Sequence, residues 1–563
     1  MSVRVAKMNS ARRVCAVVCL LFSISTTVLS AGISDDALLG GATNLAIVLE
    51  RRSEWLAKAC SAMPKLVRRN LAPIRMVRAV KDSGAFQGYR MAQNGECAAV
   101  FGKKLQEGDS YIFDFGEHVV GRVSFRLGEC NGVMDAPCRL RFTLAELPGE
   151  LGELPTNWTG LCRSWHQEEI QSFDFAPEDY TLPRRYSFRY VKVDVIACAK
   201  NATAIEWLKA TAETSADMSR LVPWNSPNPT AGEIDRIACA TLRDCMQTMF
   251  EDGPKRDRRL WLGDLRIEAL ANYETFRNYD IVKRSLYLFA GTVDDDGIIA
   301  SDVYEKPVPK KGRCRIYDYT ALFPAIVLEY LMASGDRETA EDLWPLCKRQ
   351  VESVLTSVDE RGLVQTKGEW WYFVDHDNDL DRQVPEQGVV IFGMKRFLEL
   401  SRVLGRDIET VALSKNVERM TEAARLHFWK SDDGVFLGEA EKVPSWLGQA
   451  WMTLARVSVD VSRECMERVL CNRFSQRPRT PYGYYYVTEA LYAAGLRRCA
   501  DDLLVMYWGG MAAKGADTFW EVYVPDDDNA SPYGNAFLNS ACHAWSCGPC
   551  YLLRSAKYKA LER

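Results

Sequence analysis

The chain has 563 residues, 47% of them apolar and 26% charged, and carries a net charge of -4. These are ordinary globular proportions at a length that calls for two or three domains. The lack of a basic excess argues against a nucleic-acid partner, while 15 Trp and 23 Tyr suit either well-filled cores or ring faces that stack on sugars.

At the N-terminus, Arg12 and Arg13 precede an apolar run from Val14 to Leu29, with the small residues Ser30 and Ala31 behind it. This is the pattern of an export signal over residues 1–31. The run is too short, and too interrupted by Ser and Thr, to predict a stable membrane span. An exported, periplasmic or extracellular protein is expected. Beyond Cys15 and Cys19 the cysteines are spread through the chain. Cys130/Cys138 and Cys465/Cys471 are close enough in sequence to bridge, and buried free thiols are the equal alternative.

Residues 32–109 form a lead-in without a decisive pattern. From 110 to 222 the sequence predicts a β-sandwich. Tyr111 to Gly116, Val119 to Leu127, Arg139 to Leu144 and Tyr186 to Ile196 are rich in β-branched and aromatic residues and are separated by Gly, Pro and Asn. Pro223, Pro227 and Pro229 mark a linker over 223–230. Thr230 to Glu233 is a capping-box pattern, opening a helix with Ile234, Ile237, Ala238, Leu242, Cys245 and Met249 at helical spacing. Residues 231–563 read as helical almost throughout, as over Ala321 to Ala333, Ala340 to Val358, Gln387 to Leu404, Ser445 to Val457 and Thr488 to Ala494. Roughly a dozen such segments without a fixed period fit a closed ring of helical hairpins better than a solenoid. Long irregular stretches interrupt them at Asp302 to Asp318, Gly368 to Pro385 and Asp517 to Asn539, and loops of that length on a rigid scaffold are where sites tend to be.

Three clusters carry candidate chemistry. The first runs from Asp252 through Pro254, Lys255, Arg256, Asp257, Arg258, Arg259 and Trp261 to Asp264. It reads either as a surface loop of salt bridges or as a sugar-hydroxyl clamp around a general acid. The second is Asp517, Thr518, Phe519, Trp520 and Glu521, followed by Asp526 to Asn529, Tyr533 and His543. A carboxylate next to a Trp suits a partly desolvated base. The third, Glu369 to Asp375, sets Trp370 and Trp371 between acids.

The first cluster resembles the motif D-C-P-x-R-E-R-x-G-W-x-G-D of glycoside hydrolase family 78, the α-L-rhamnosidases. Asp252, Pro254, Arg256, Arg258, Trp261, Gly263 and Asp264 match it without a gap. Thr518 to Glu521, Leu538 to Ser540, His543 to Ser546, Asp114 to Gly116 and Leu182 to Tyr190 extend the resemblance over most of the chain. It implies a multidomain α and β protein with an N-terminal β-sandwich followed by an (α/α)6 helical toroid at 231–563. It also implies a single-displacement, inverting exo-hydrolase that releases terminal α-L-rhamnose without a cofactor or metal. Asp257 falls where the family has its general acid Glu, and Glu521 falls on the general base. Asp252, Arg256, Asp264, Trp371, Asp375 and His543 are expected to bind substrate, with Trp261 and Trp520 as apolar walls. The expected partner is an oligosaccharide, polysaccharide or glycoside. A sugar-binding protein on the same scaffold, or a hydrolase of a uronide or arabinoside, are the rival readings.

Other signals weigh less. Cys547-Gly-Pro-Cys550 has the spacing of a redox motif but lies at the end of a helical domain rather than after a strand. A zinc site from Cys542, His543, Cys547 and Cys550 is disfavoured, because adjacent Cys542 and His543 point apart. The acidic runs Asp294 to Asp296 and Asp526 to Asp528 lack EF-hand spacing. Asn157 and Asn201 fit the glycosylation acceptor pattern.

Overall fold

A computed structural model describes residues 44–152, 159–199, 202–226 and 228–559; the export-signal segment, Asn157, Asn201 and Pro227 lie outside them. Nine antiparallel strands, β1 (Val67–Leu71), β2 (Arg75–Lys81), β3 (Tyr89–Gly95), β4 (Ser110–Cys130), β5 (Cys138–Ala145), β6 (Gln167–Phe173), β7 (Glu178–Thr181), β8 (Tyr186–Ala197) and β9 (Ala202–Thr214), make the N-terminal domain. The main path is β1-β9-β4-β8-β5-β6, with β2 and β7 also paired to β4 and β3 paired to β2.

The two strands expected over 111–127 are one 21-residue strand. Its pairing to β8 shifts register between Asp114 and Val119, and its second half pairs with β9 from Gly121 on. The bend needs its glycines. Gly116 lies at φ +79, and a Cβ at Gly121 would meet the Thr211 carbonyl oxygen at 2.2 Å. The bend lays one half of β4 over the other strands, so that Phe125 meets Phe142 of β5 at 5.0 Å and Phe173 of β6 at 5.2 Å. The expected sandwich is thus a single hydrogen-bonded sheet folded over on itself, and it starts at Val67 rather than at 110. The lead-in also supplies a helix, α1 (Arg52–Ser61), whose buried Trp55 donates to Asp342 at 3.1 Å, beside Arg51 and Lys58 on the same carboxylate.

The helical domain opens with α2 (Pro229–Cys245). Its cap is Asn228, which accepts from the Thr230 and Ala231 N–H groups, while Glu233 pairs with Arg236. The N-cap expected at Thr230 therefore lies two residues earlier, without a capping box, because Pro229 fits the first helical position. There follow α3 (Leu262–Glu274), α4 (Tyr279–Gly291), α5 (Tyr317–Ser334), α6 (Arg337–Leu355), α7 (Gln383–Val403), α8 (Val411–Phe428), α9 (Trp446–Leu454), α10 (Ser462–Cys471), α11 (Pro481–Ala493), α12 (Arg497–Ala513) and α13 (Pro549–Arg554). The odd-numbered helices α3, α5, α7, α9 and α11 pack each on the next, and the 3-10 turn Ala544–Cys547 packs on both α11 and α3. These inner helices are buried nearly all round, as in α5, buried without interruption from Tyr317 to Leu328. Outer helices such as α2 and α6 bury one face. Cys130, Cys138, Cys465 and Cys471, the candidates for bridges, are all free thiols.

Close approach of the inner helices depends on α7. A Cβ at Gly393 would lie 2.0 Å from the Ala321 carbonyl oxygen of α5, and one at Gly388 would lie 2.7 Å from the Trp451 backbone of α9. The segments entering the inner helices meet at one end. Trp261 pairs with Asp302, Ile316 bridges to Trp371, and the Ala544 N–H donates to the Asp252 carbonyl at 2.7 Å.

Gly393→Ala is expected to destabilise the fold by about 1–3 kcal/mol through overpacking. In urea unfolding this appears as a lower midpoint at unchanged slope, and an unchanged midpoint would show that α5 and α7 are not in this contact.

Candidate active site

The loop between α2 and α3 is built around buried charge. Asp252 accepts the Arg259 N–H on its side chain at 3.0 Å, which closes the loop on itself. At its tip, Asp257 and Arg258 both lie in the left-handed region, at φ 56 and 55. Two consecutive non-glycine residues there cost roughly 1–3 kcal/mol each, and such strain concentrates at functional sites. Lys255 and Arg256 point inward and are each only 4% exposed. Lys255 donates to the Phe537 and Asn539 carbonyls at 3.0 and 3.2 Å and pairs with Glu150 of the sheet domain at 2.7 Å. One arm of Arg256, Nη2, meets Glu521 Oε1 at 2.5 Å, and the other, Nη1, meets Asp257 Oδ1 at 3.3 Å.

Glu521 is 1% exposed. Besides Arg256 it accepts the Tyr533 hydroxyl at 2.5 Å and the Ser540 N–H at 2.9 Å. Burial by itself would raise its carboxyl; the Arg256 guanidinium and these hydrogen bonds overcome that and hold it down at about 2. The carboxylate is therefore ionised at any working pH.

Three more groups close the site. Asp264, in the first turn of α3, and Asp252 are both pushed well above the usual carboxylate range by burial, with Asp257 adding repulsion at each. His543 lies between them and Glu521: its Nδ1 is 3.6 Å from Asp264, and its Nε2 is 4.0 Å from Asp252 and 3.8 Å from Glu521. Burial lowers its imidazole to about 3, so it is neutral. Asp264 Oδ1, His543 Nδ1 and Trp261 Nε1 are buried without a hydrogen-bond partner among the described residues. Carboxyls that burial shifts toward the protonated form, a neutral imidazole and open donors and acceptors suit hydroxyls better than a charged ligand.

Models for the glycosyl hydrolase family 78 α-rhamnosidase N-terminal domain and the bacterial α-L-rhamnosidase six-hairpin glycosidase domain match residues 73–212 and 224–556. The chain belongs to glycoside hydrolase family 78. A rhamnosidase from Klebsiella oxytoca, solved with rhamnose bound, is 37% identical at a TM-score of 0.86, over 89% of this enzyme and 98% of that chain. The family 78 rhamnosidase of Bacillus sp. GL1 shares the fold at 20% identity and a TM-score of 0.72, over 83% of this enzyme and 49% of that chain. Curated proteins provide no match.

Within this family 78 enzyme, the structure brings Asp252, Arg256, Asp257, Asp264, Glu521 and His543 together, with the Trp261 ring beside Arg259 at 5.9 Å. Trp371 stands 42% exposed at the rim, edge-on to Phe373 at 5.7 Å. Asp375 does not face the site. It accepts from Thr480 Oγ1, the Arg479 N–H and the His376 N–H, tying its loop to the start of α11. Trp520 is turned away as well, stacked on Phe86 of the sheet domain at 4.0 Å. Neither Asp375 nor Trp520 is placed to touch a sugar at Glu521.

Sequence reasoning passed over His376 and Trp165 and named Tyr533 without a role. The His376 ring packs among Phe373, Trp545 and Tyr533, and burial lowers it to about 4. Trp165, from the sheet domain, packs on Arg256. Only Tyr533 had a signal in the sequence, its place in the acidic second cluster. Among the described residues, two other groups have metal-ligand atom types: His118, Asp244 and Cys542, and Asp235, Cys239 and Cys550. Arg243 and Arg554 already neutralise their carboxylates, at 2.7 and 2.6 Å, so these read as ion-pair networks.

The depressed Glu521 carboxyl makes a pH prediction. Its folded value lies below the ordinary 4.5, so its stabilising contribution is present above pH 4.5 and is lost as the pH falls from there to about 2. The contribution is on the order of 3 kcal/mol at neutral pH. The stability difference between the wild type and Glu521→Gln should therefore shrink as unfolding is measured down through that window. A difference that stays constant would show that Glu521 is not held ionised.

Proposed function

We propose that the enzyme is an inverting exo-α-L-rhamnosidase in which Asp257 is the general acid and Glu521 the general base, on an (α/α)6 toroid. The observation that carries this reading is the Arg256 bridge, which holds Asp257 and Glu521 on the two arms of one guanidinium. The two carboxylates come from loops 264 residues apart in sequence and are spaced by a planar group. Inversion requires two carboxyl groups ~6.5–9.5 Å apart, with a water between one of them and the anomeric carbon.

Asp257 gives its proton to the glycosidic oxygen as the bond to the anomeric carbon breaks. Water attacks that carbon from the opposite face, and Glu521 takes the water's proton. One glycosidic bond and one water become two hydroxyls, with the anomeric configuration reversed. Asp252, Asp264 and His543 present hydrogen-bond donors and acceptors to the sugar hydroxyls, and Trp261 supplies an apolar wall. Rhamnose as the glycone is supported by the Klebsiella oxytoca rhamnosidase, which was solved with that sugar. The N-terminal pattern of residues 1–31 supports export, which N-terminal sequencing of the protein recovered outside the cytoplasm would test.

Asp257→Asn and Glu521→Gln should each lower kcat by about a hundred- to ten-thousandfold, the usual share of general acid–base catalysis, with the fold retained by circular dichroism. With an activated aryl leaving group Asp257→Asn should lose much less, since little protonation is needed. Near-wild-type turnover in either variant on an unactivated glycoside removes that residue from its role. NMR of the first-formed sugar should show the anomer opposite to the substrate's; the same anomer overturns inversion. A screen of aryl rhamnosides, uronides and arabinosides names the glycone.

A further inference from the structure

The sheet domain reaches Arg256 of the active site through Trp165. Residues 159–166 of that domain lie on the loop that carries Tyr533. Thr159 donates to the Gly534 carbonyl at 3.4 Å, and a Cβ at Gly160 would stand 3.0 Å from Leu538 and 3.1 Å from the Tyr533 carbonyl. The segment is anchored from below, where the buried His166 ring faces the Glu150 carbonyl at 3.2 Å and Glu150 itself pairs with Lys255. Between these anchors, Arg163–Trp165 forms one 3-10 turn. It puts the Trp165 ring 4.7 Å from the Arg256 guanidinium and edge-on to Tyr533 at 6.3 Å. Tyr533 covers the same guanidinium at 4.0 Å.

Arg256 thus sits in a corner of two aromatic faces, with its polar edge left for Glu521 and Asp257. A guanidinium has no preferred orientation in an apolar space; it turns toward whatever hydrogen-bonds it. Two rings bound it, and from between them its Nη2 reaches Glu521 and its Nη1 reaches Asp257. A cation over a desolvated ring gains roughly 0.5–2 kcal/mol, enough to choose between orientations of a side chain.

We propose that Trp165 is a positioning residue: by packing on Arg256 it fixes the guanidinium plane that spaces Asp257 from Glu521. This rests on the acid and base assignment above. Trp165 acts through Arg256 and is not expected to touch the sugar, so its loss should appear in kcat rather than in KM. It should also appear in the pH profile. The charged and titratable groups facing Glu521 are Arg256 and Asp257 of the 251–261 loop, Asp264 of α3, His376 of the 368–382 loop, and Tyr533 and His543 of its own segment. Arg256 is the cation among them at hydrogen-bond distance. When it loosens, the base regains protons at a higher pH, and the acidic limb of kcat/KM moves up.

The test compares Trp165→Ala and Trp165→Phe in the full-length enzyme, alone and in an Arg256→Lys background, with an aryl rhamnoside as substrate. Trp165→Ala should lower kcat about three- to thirtyfold, change KM little and shift the acidic limb upward; Trp165→Phe, which keeps a ring face, should recover most of both. In the Arg256→Lys background Trp165→Ala should add little, because the group it acts through is already displaced. The proposal is overturned by a wild-type kcat and pH profile in Trp165→Ala, by a rise in KM alone, which would mean that Trp165 binds the sugar, or by an equal loss in both backgrounds. A loss that Trp165→Phe fails to recover and that tracks a fall in melting temperature would assign it a structural role and overturns it too. Failure of the acid and base assignment shows separately, as turnover retained in Asp257→Asn or Glu521→Gln.

Discussion

Two consecutive cations, Lys255 and Arg256, are buried at the centre of this enzyme, and the rest of the active site follows from satisfying them. A buried charge without a partner costs several kcal/mol, so each must be met by anions or carbonyls in good geometry. Lys255 draws the sheet domain's Glu150 and the carbonyls at 537 and 539 to one point. Arg256 draws Glu521 and Asp257 to another. Adjacent residues on a strained turn point to different sides, and three chain segments distant in sequence are thereby joined through one loop. The strain at Asp257 and Arg258 persists because these contacts outweigh it.

The sheet domain is part of the same arrangement. His118 of β4 lies between Asp244 of α2 and Glu146, at 2.7 and 3.2 Å, while Glu146 also accepts the Ala541 N–H at 2.6 Å. Arg185 meets Glu251, and Arg189 meets Asp517, each at the root of a loop that carries a candidate catalytic carboxylate. Burial would leave His118 neutral, but Cys542, Asp244 and Glu146 together hold its imidazole well above the ordinary value. A polar interface of this kind contributes less to net stability than an apolar one of the same size. It fixes one register between the domains, since any other leaves charges unpaired.

Much of this was legible in the chain. The switch from alternating strands to helical spacing near 223 followed from side-chain periodicity, which is a local property. The 252–264 stretch stood out because seven charges of both signs in thirteen residues, with Pro254 and Gly263 among them, are too mixed for a solvated charge run. The Trp520–Glu521 pair was found as a pair, yet its members do opposite jobs: Glu521 faces the site, and Trp520 packs on Phe86. Asp375 was misread for a related reason. An acid beside two tryptophans looks the same in sequence whether it faces a sugar or accepts from the residues that open a helix, as this one does from Arg479 and Thr480.

The sequence by itself determined the order of domains, the helical character of the larger one and the residue types available for acid–base chemistry, because these depend on composition and on spacing within one segment. The tertiary structure decided which carboxylates meet, that β4 bends to fold its sheet in one piece, and that Trp165 of one domain covers Arg256 of the other. Those contacts join residues up to several hundred positions apart. Their partners are chosen by the geometry in which all the buried charges are paired at once, and no single stretch of the chain contains that information.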